Sequence, residues 1–324
     1  MKRIVSVSLG SSARNHRVQV EMLGETLVIE RIGTDGSKEK AIELIRSLDG
    51  QVDAFGMGGI DLYVWAGRKR LVLRDALPIA RAPKKTPIVD GSGLKNTLER
   101  RVVEYLAREG ILPLRGMRTL LVSGVDRFGM AEALEAAGAR VLYGDFYFVL
   151  GIPVPLRSWK QVERVGAVLG PIIVLLPFEW LYPTGEKQHE TTPRFERLFR
   201  EHELIAGDFH FIRRYMPADL TGKVILTNTV TAQDVEDLRR RGVRMLVTTT
   251  PELGGRSFGT NVMEAALVAL SGRRPEDLRP EDYEVLLDRL QLRPRVEYLD
   301  RGESGEQGGN GLGTRAVRVH GAPV

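Results

Sequence analysis

The chain contains no cysteine. That absence excludes disulfide bridges, a thiolate nucleophile and Cys-type zinc sites. Histidine is scarce: five residues, scattered, with no metal-ligand spacing such as HExxH, so no metal site is expected. Aromatic residues make up only 6% of the chain, and the charge is nearly balanced, 47 Lys and Arg against 42 Asp and Glu. The small basic excess is spread out rather than gathered in a stripe with aromatics, so no nucleic-acid partner is expected. A long apolar run is also missing. The most apolar stretch, 165–183, is interrupted by Pro171, Pro177 and Glu179. It reads as a buried helix end followed by a strand near 172–176, and no membrane partner is expected. The opening "MKRIVSVSLG" has a strand pattern without the apolar core or cleavage site of a secretory leader, which makes a cytoplasmic protein the expectation.

What is present is enough for two cores: 324 residues, 43% of them hydrophobic. "RVQVEMLGETLVIERIG" alternates as two strands joined near Gly24, and "SKEKAIELIRSLDG" has helical spacing ending at Gly50. "GSGLKNTLERRVVEYLAREG" is a connecting helix that ends at Gly110. Strands then fall near 118–124, 140–145, 172–176, 203–207, 223–228 and 243–249, with helices between most of them and at 260–271. This alternation predicts an α/β protein of two domains: a mixed α/β unit over 1–112 and a Rossmann-like, doubly wound parallel sheet over 113–300. Residues 301–324 are rich in glycine with little to bury, and a disordered tail is expected.

"LLVSGVDRFGMAEALEAAGARVLYGD", 120–145, is close to a dinucleotide fingerprint. In that motif the first glycine makes the tight turn, the second lets pyrophosphate approach, the third lets helix and strand pack, and a later acid holds ribose. Gly124, Gly129 and Asp145 fit the first, third and ribose roles, while Asp126 stands where the second glycine belongs. A carboxylate about 4 Å from a phosphate costs roughly 4 kcal/mol at an effective dielectric near 20. Asp126 also suits the N-cap of a helix starting at Arg127, a residue whose charge would offset it. Candidate cofactor-binding residues are therefore Gly124, Asp126, Arg127, Gly129 and Asp145, joined by Asn228 and Thr248 at later strand ends, with NAD or NADP as the cofactor.

Other polar groups gather where strands should end. His210 in "GDFHFIRRY" is an acid–base candidate by residue type, with Asp208 beside it. "GGRSFGTN" precedes a helix near Thr260, and Arg256 with the helix amides makes an anion site. In the first unit, "VDGSGLKNTLERR" places Asp90, Lys95 and Asn96 at a strand-to-helix turn, where a Lys and an Asp could move a proton at an alcohol oxygen. "SLGSS" offers the hydroxyls of Ser8, Ser11 and Ser12.

Together "VSVSLGSS", "FGMGGIDLY", "TPIVDGSGLKNTLERRVVEYL", "VDRFGMAEAL", "LPFEWLYPTGEKQ", "AGDFHFIRRYMP", "TNTVT" and "VTTTPELGGRSFGTNVMEA" resemble a bacterial family usually labelled quinate 5-dehydrogenase, up to about Pro294. The resemblance implies an N-terminal substrate domain, a Rossmann domain for NAD or NADP, and a Lys–Asp pair that assists hydride transfer. Lys95 and Asp90 would be that catalytic pair. Ser8, Ser11, Ser12, Asn96, His210 and Arg256 would contact a small anionic substrate, a polyhydroxylated carboxylic acid. A homo-oligomer is a further possibility. Two other readings stand beside the dehydrogenase: a protein that binds a small anionic metabolite without redox chemistry, and a non-redox enzyme using His210 and Asp208.

Overall fold

The computed structural model describes residues 1–66, 69–175, 191–253, 257–300 and 317–320. The first unit contains β1 (Lys2–Ser8), β2 (His16–Met22), β3 (Glu25–Gly33), β4 (Ala54–Gly58), β5 (Tyr63–Ala66), β6 (Lys69–Val72) and β7 (Ile88–Val89). Its helices are α1 (Lys38–Leu48), α2 (Leu77–Ala80) and α3 (Ser92–Arg108). β2 and β3 form the expected hairpin; Leu23 and Gly24 at its tip both take positive φ, as a two-residue turn matched to strand twist requires. β1 lies between β3 and β4, parallel to both, and β7 continues the parallel run. β5 and β6 pair as a separate hairpin.

The second unit has β8 (Arg118–Leu121), β9 (Arg140–Tyr143), β10 (Leu204–Ala206), β11 (Val224–Thr227), β12 (Met245–Thr248) and β13 (Arg295–Tyr298). Its helices are α4 (Phe128–Ala136), α5 (Trp159–Ile173), α6 (Glu196–Glu201), α7 (Phe209–Tyr215), α8 (Ala232–Arg240), α9 (Thr260–Ser271) and α10 (Pro280–Arg289). The strand order is β13-β12-β11-β10-β8-β9, parallel except for the antiparallel edge strand β13. The interior strands β10, β11 and β12 are buried along their whole length, as expected of a parallel sheet covered on both faces. The doubly wound α/β class inferred from the alternation is the one observed.

Three expectations change. No strand forms at the start of 172–176: α5 runs through Ile173 and ends two residues after Pro171, which removes an intrahelical amide donor, and residues from 176 to 190 lie outside the described part. The tail is not structureless throughout. Val317–His320 form β14, which pairs antiparallel with β2 at the edge of the first sheet, while 301–316 and 321–324 lie outside the described residues. The boundary at 112 does not divide the packing either. α9 follows the second sheet in the chain yet packs on β4 and β1 of the first. Its residues are buried around nearly the whole circumference, the mark of a helix enclosed on all sides. One apolar core therefore runs through both units by way of α3, α4 and α9.

Two tests follow from this packing. A Cβ at Gly129 would overlap the backbone carbonyl of Asn96, where α4 meets α3. Gly129→Ala should destabilise by about 1–3 kcal/mol, the usual cost of overpacking, read in a denaturant melt. Glu264 on α9 is buried and accepts a bond from the Tyr283 hydroxyl at 2.9 Å. Burial, followed by the Asp90 charge, pushes its carboxyl up to about 8. A raised acid pKa favours the fold below the unfolded value near 4.5, and that contribution is lost as pH rises towards 8. Wild type should lose stability between pH 5 and 8 relative to Glu264→Gln, at no more than about 1.4 kcal/mol per pH unit. Parallel pH profiles would remove Glu264 as the cause.

Candidate functional site

In open parallel sheets ligands bind beyond the carboxyl ends of the strands, where the strand order reverses. In the second sheet the reversal falls at β8, which has β9 on one side and β10 on the other. In the first it falls at β1, between β3 and β4. A cleft of about 100 Å³ lies between these regions. One wall comes from the end of β4 (Met57–Asp61), from Asp90 and from Lys95 on the first turn of α3. The other comes from Asp126, Arg127, Asp208, His210, Asn228 and Thr229, and the start of α9 closes it.

Lys95 is the centre of the first wall. Its Nζ donates to Asp126 Oδ1 at 2.8 Å and to Asp61 Oδ2 at 3.4 Å. Burial alone would lower the Lys95 pKa, but Asp126 and then Asp61 outweigh it and hold the amine as an ammonium. Asp61 moves the other way. Burial pushes its carboxyl well above the carboxylate range; Lys95 opposes this, while Asp126 and Asp90 add to it. One cation stands between two acids, and a hydrogen bond with Asp126 also favours the neutral form of Asp61. Asp61 is also the most open of the three, with 28% of its side chain exposed against 20% for Asp126 and 10% for Lys95.

Asp90 is not the partner expected for Lys95. Its Oδ2 accepts the amides of Leu62 and Tyr63, and its Oδ1 accepts the amide and hydroxyl of Ser92. It anchors the loop that carries Asp61 and the start of α3. Asp61 is hard to find in the sequence because no helix or strand period marks it. The available signal is its place two residues after Gly59, just past a strand end.

The second wall is organised by Arg127, which is 2% exposed. Its guanidinium pairs with Glu99 on α3, with Asp208 at 2.8 Å and with Asp126 at 3.5 Å. Burial works against its charge, and Glu99 and then Asp126 and Asp208 more than restore it. Asp208 caps α7 through the His210 amide and accepts from Asn228 Nδ2 at 2.9 Å, so both Asp208 and Asn228 serve the framework. His210 lines the cleft, but burial, with Arg14 next, lowers its pKa to about 3. Near pH 7 this favours the neutral ring.

The fingerprint residues are held by the protein itself. Asp145 does not reach outward to a ribose. Its carboxylate accepts the Gly124 amide at 2.9 and 3.0 Å and the Val125 amide at 2.9 Å. Burial raises its pKa to about 6 against the pull of those amides, so it is mainly ionised at pH 7. Asp126 is no N-cap: α4 begins at Phe128, with Arg127 at the cap position. The Gly129 amide is taken by Asn96 Oδ1 at 3.1 Å, which makes Asn96 a cap from a neighbouring helix. A Cβ at Gly124 would strike the Tyr143 ring. NAD or NADP does not fit this turn: the Gly124, Val125, Arg127 and Gly129 amides are occupied, and two buried or half-buried carboxylates flank it.

The other expected contacts lie elsewhere. Ser8 Oγ accepts from Arg31 and the Gly10 amide, Ser11 Oγ accepts the Ala13 amide, and Ser12 is exposed; none lines the cleft. Thr248 bonds the Thr250 carbonyl and meets the Ser257 hydroxyl. Arg256 lies outside the described residues. Among the described residues, no cluster of three or more His, Asp or Glu could hold a metal ion, and no helix is long and apolar enough to cross a membrane.

The fold and the cleft define a two-sheet α/β protein with its candidate site between the sheets. The chain belongs to the family described as a domain of unknown function, DUF8754, whose model matches residues 93–299; residues 3–90 match a second such domain, DUF8753. No curated protein matches it. Among solved structures it is similar to a glutamate dehydrogenase of Thermus thermophilus (14% identity, TM-score 0.40, covering 89% of this chain and 74% of that one). It is also similar to a galactofuranose binding protein (14%, 0.34, 89% and 98%). A third is the NAD-dependent malic enzyme of Thermotoga maritima (12%, 0.33, 89% and 83%). Likeness at this level says nothing of ligand or reaction.

Arg127 gives the site its test. Arg127→Met would leave Glu99 and Asp208 buried without their cation. Removing one partner of a buried ion pair costs about 3–5 kcal/mol, and a loss of that size is expected in chemical unfolding. A loss below about 1 kcal/mol would show that the two acids find other partners or protons cheaply.

Proposed function

We propose that the cleft binds a small polyhydroxylated metabolite and that Asp61 exchanges a proton with one of its oxygen atoms beside the Lys95 ammonium. The observation that carries this reading is the set Asp61–Lys95–Asp126, one fixed cation between two carboxyls at the mouth of the cleft. Burial, with Asp126 and Asp90 beside it, favours the protonated form of Asp61, which donates a hydrogen bond to a ligand oxygen and gives up its proton only where that oxygen carries negative charge. Lys95 stabilises the negative charge on that oxygen whenever the proton is away. Asp126 holds Lys95 in place and keeps it charged. The lining has four carboxyls (Asp61, Asp90, Asp126 and Asp208) against two cations, Lys95 and Arg127. Such a wall favours hydroxyl groups of the ligand over an added anion.

A hydroxy acid of the quinate or shikimate type suits the likeness to quinate 5-dehydrogenases, with Asp61 in the role that likeness gives to Asp90. Its hydroxyls would face Lys95 and its carboxylate would point away. The family's nicotinamide step is left out of this reading, because Asp145 sits on the turn that would hold the pyrophosphate. That contact favours a second reading, a protein that handles the hydroxylated metabolite without hydride transfer.

The test is calorimetry with quinate, shikimate and the uncharged polyol myo-inositol, alongside a turnover assay with and without NAD(P). Lys95→Met and Asp61→Asn should each lower turnover by about 10²–10⁴-fold, whereas His210→Gln should change it by less than about tenfold. Wild-type turnover in both Lys95→Met and Asp61→Asn would refute the proton role. Failure of wild type to bind any of the three compounds would refute the ligand class.

A further inference from the structure

We infer that Asp145 is the resident anion of the Gly124 turn, so that the turn joins two strands and binds no nucleotide phosphate. A phosphate-binding turn works because backbone amides at the end of a strand and the start of a helix converge on an empty space. Here four amides of the turn have an acceptor within the chain. Gly124 and Val125 donate to the Asp145 carboxylate. Arg127 donates to the Gly124 carbonyl at 3.0 Å, and Gly129 donates to Asn96.

The occupant follows from strand pairing. β8 and β9 are parallel neighbours with Leu121 opposite Tyr143, and the Gly144 amide extends the ladder to the Leu121 carbonyl at 2.8 Å. Asp145 thus emerges beside Gly124, and the chain turns there into a short π-helical segment, Asp145–Val149, that aims the carboxylate back at the turn. Ribose recognition would need that carboxylate to point outward. The glycines also have internal reasons. A side chain at Gly124 would meet Tyr143 and Asp145, and one at Gly129 would meet Asn96. Nothing about either position calls for a ligand.

This inference is independent of the proton role given to Asp61. It is tested on the full chain by following the Gly124 and Val125 amide resonances while NAD⁺, NADH, NADP⁺, NADPH and inorganic pyrophosphate are added. Neither resonance should move in wild type, and both should shift together with pH as Asp145 titrates near 6. Asp145→Ala empties the turn and should bind pyrophosphate more tightly than wild type by on the order of tenfold or more, since one adjacent like charge is gone. Saturable binding of any of the four dinucleotides to wild type, with Gly124 and Val125 displaced, would overturn the inference. So would amides that ignore pH across the Asp145 titration. Both readouts use the unaltered protein, so they decide the matter even where Asp145→Ala does not fold.

Discussion

The buried guanidinium of Arg127 is the interaction on which the two halves depend. Three carboxyl groups from three parts of the chain meet it: Glu99 on α3, Asp126 in the turn after β8 and Asp208 after β10. A charge so fully removed from water persists only with this degree of pairing. The consequence is geometric. α3 belongs to the first unit and carries Lys95, so fixing Glu99 also fixes the height of Lys95 against the turn that carries Asp126. The pairs with Glu99 and Asp208 cross between separate elements, and α9 closes the arrangement by crossing back to the first sheet.

Within that frame the excess of acid over base decides the chemistry. Lys95 has two carboxylate neighbours and therefore cannot act as a neutral amine. Burial raises the Asp61 carboxyl above the ordinary carboxylate range, so of the pair Asp61 is the group better disposed to hold a proton. Lys95 supplies fixed positive charge, and Asp61 lies at the more open position. His210, which has the side chain best matched to neutral pH, is held towards its neutral form by burial, because desolvation opposes its charged form.

The Gly124 turn illustrates how a motif can survive while its use changes. Strand, glycine turn, helix and terminal acid are all present and in order. A single difference, the inward direction of Asp145, converts an anion-binding turn into a closed joint. The acid at the second glycine position is then no defect, since Asp126 faces Lys95 across the cleft rather than a phosphate.

The sequence by itself determined the local elements. Apolar period and turn residues placed the β2–β3 hairpin, α1, α3 and α9 and the alternating second unit, because those signals act over a few neighbouring residues. Lys95 was legible for the same reason: a charged residue on the first turn of a helix that follows a strand. Only the tertiary structure decided the partners. Asp61 and Asp126 lie 34 and 31 residues from Lys95, and Asp208 lies 81 from Arg127. No spacing rule links such positions. The direction of the Asp145 side chain and the return of α9 to the first sheet were hidden likewise, since both are set by which faces the packed core leaves open. Charge balance in the cleft is a sum over groups that meet only after folding, and the raised Asp61 carboxyl is a property of that sum.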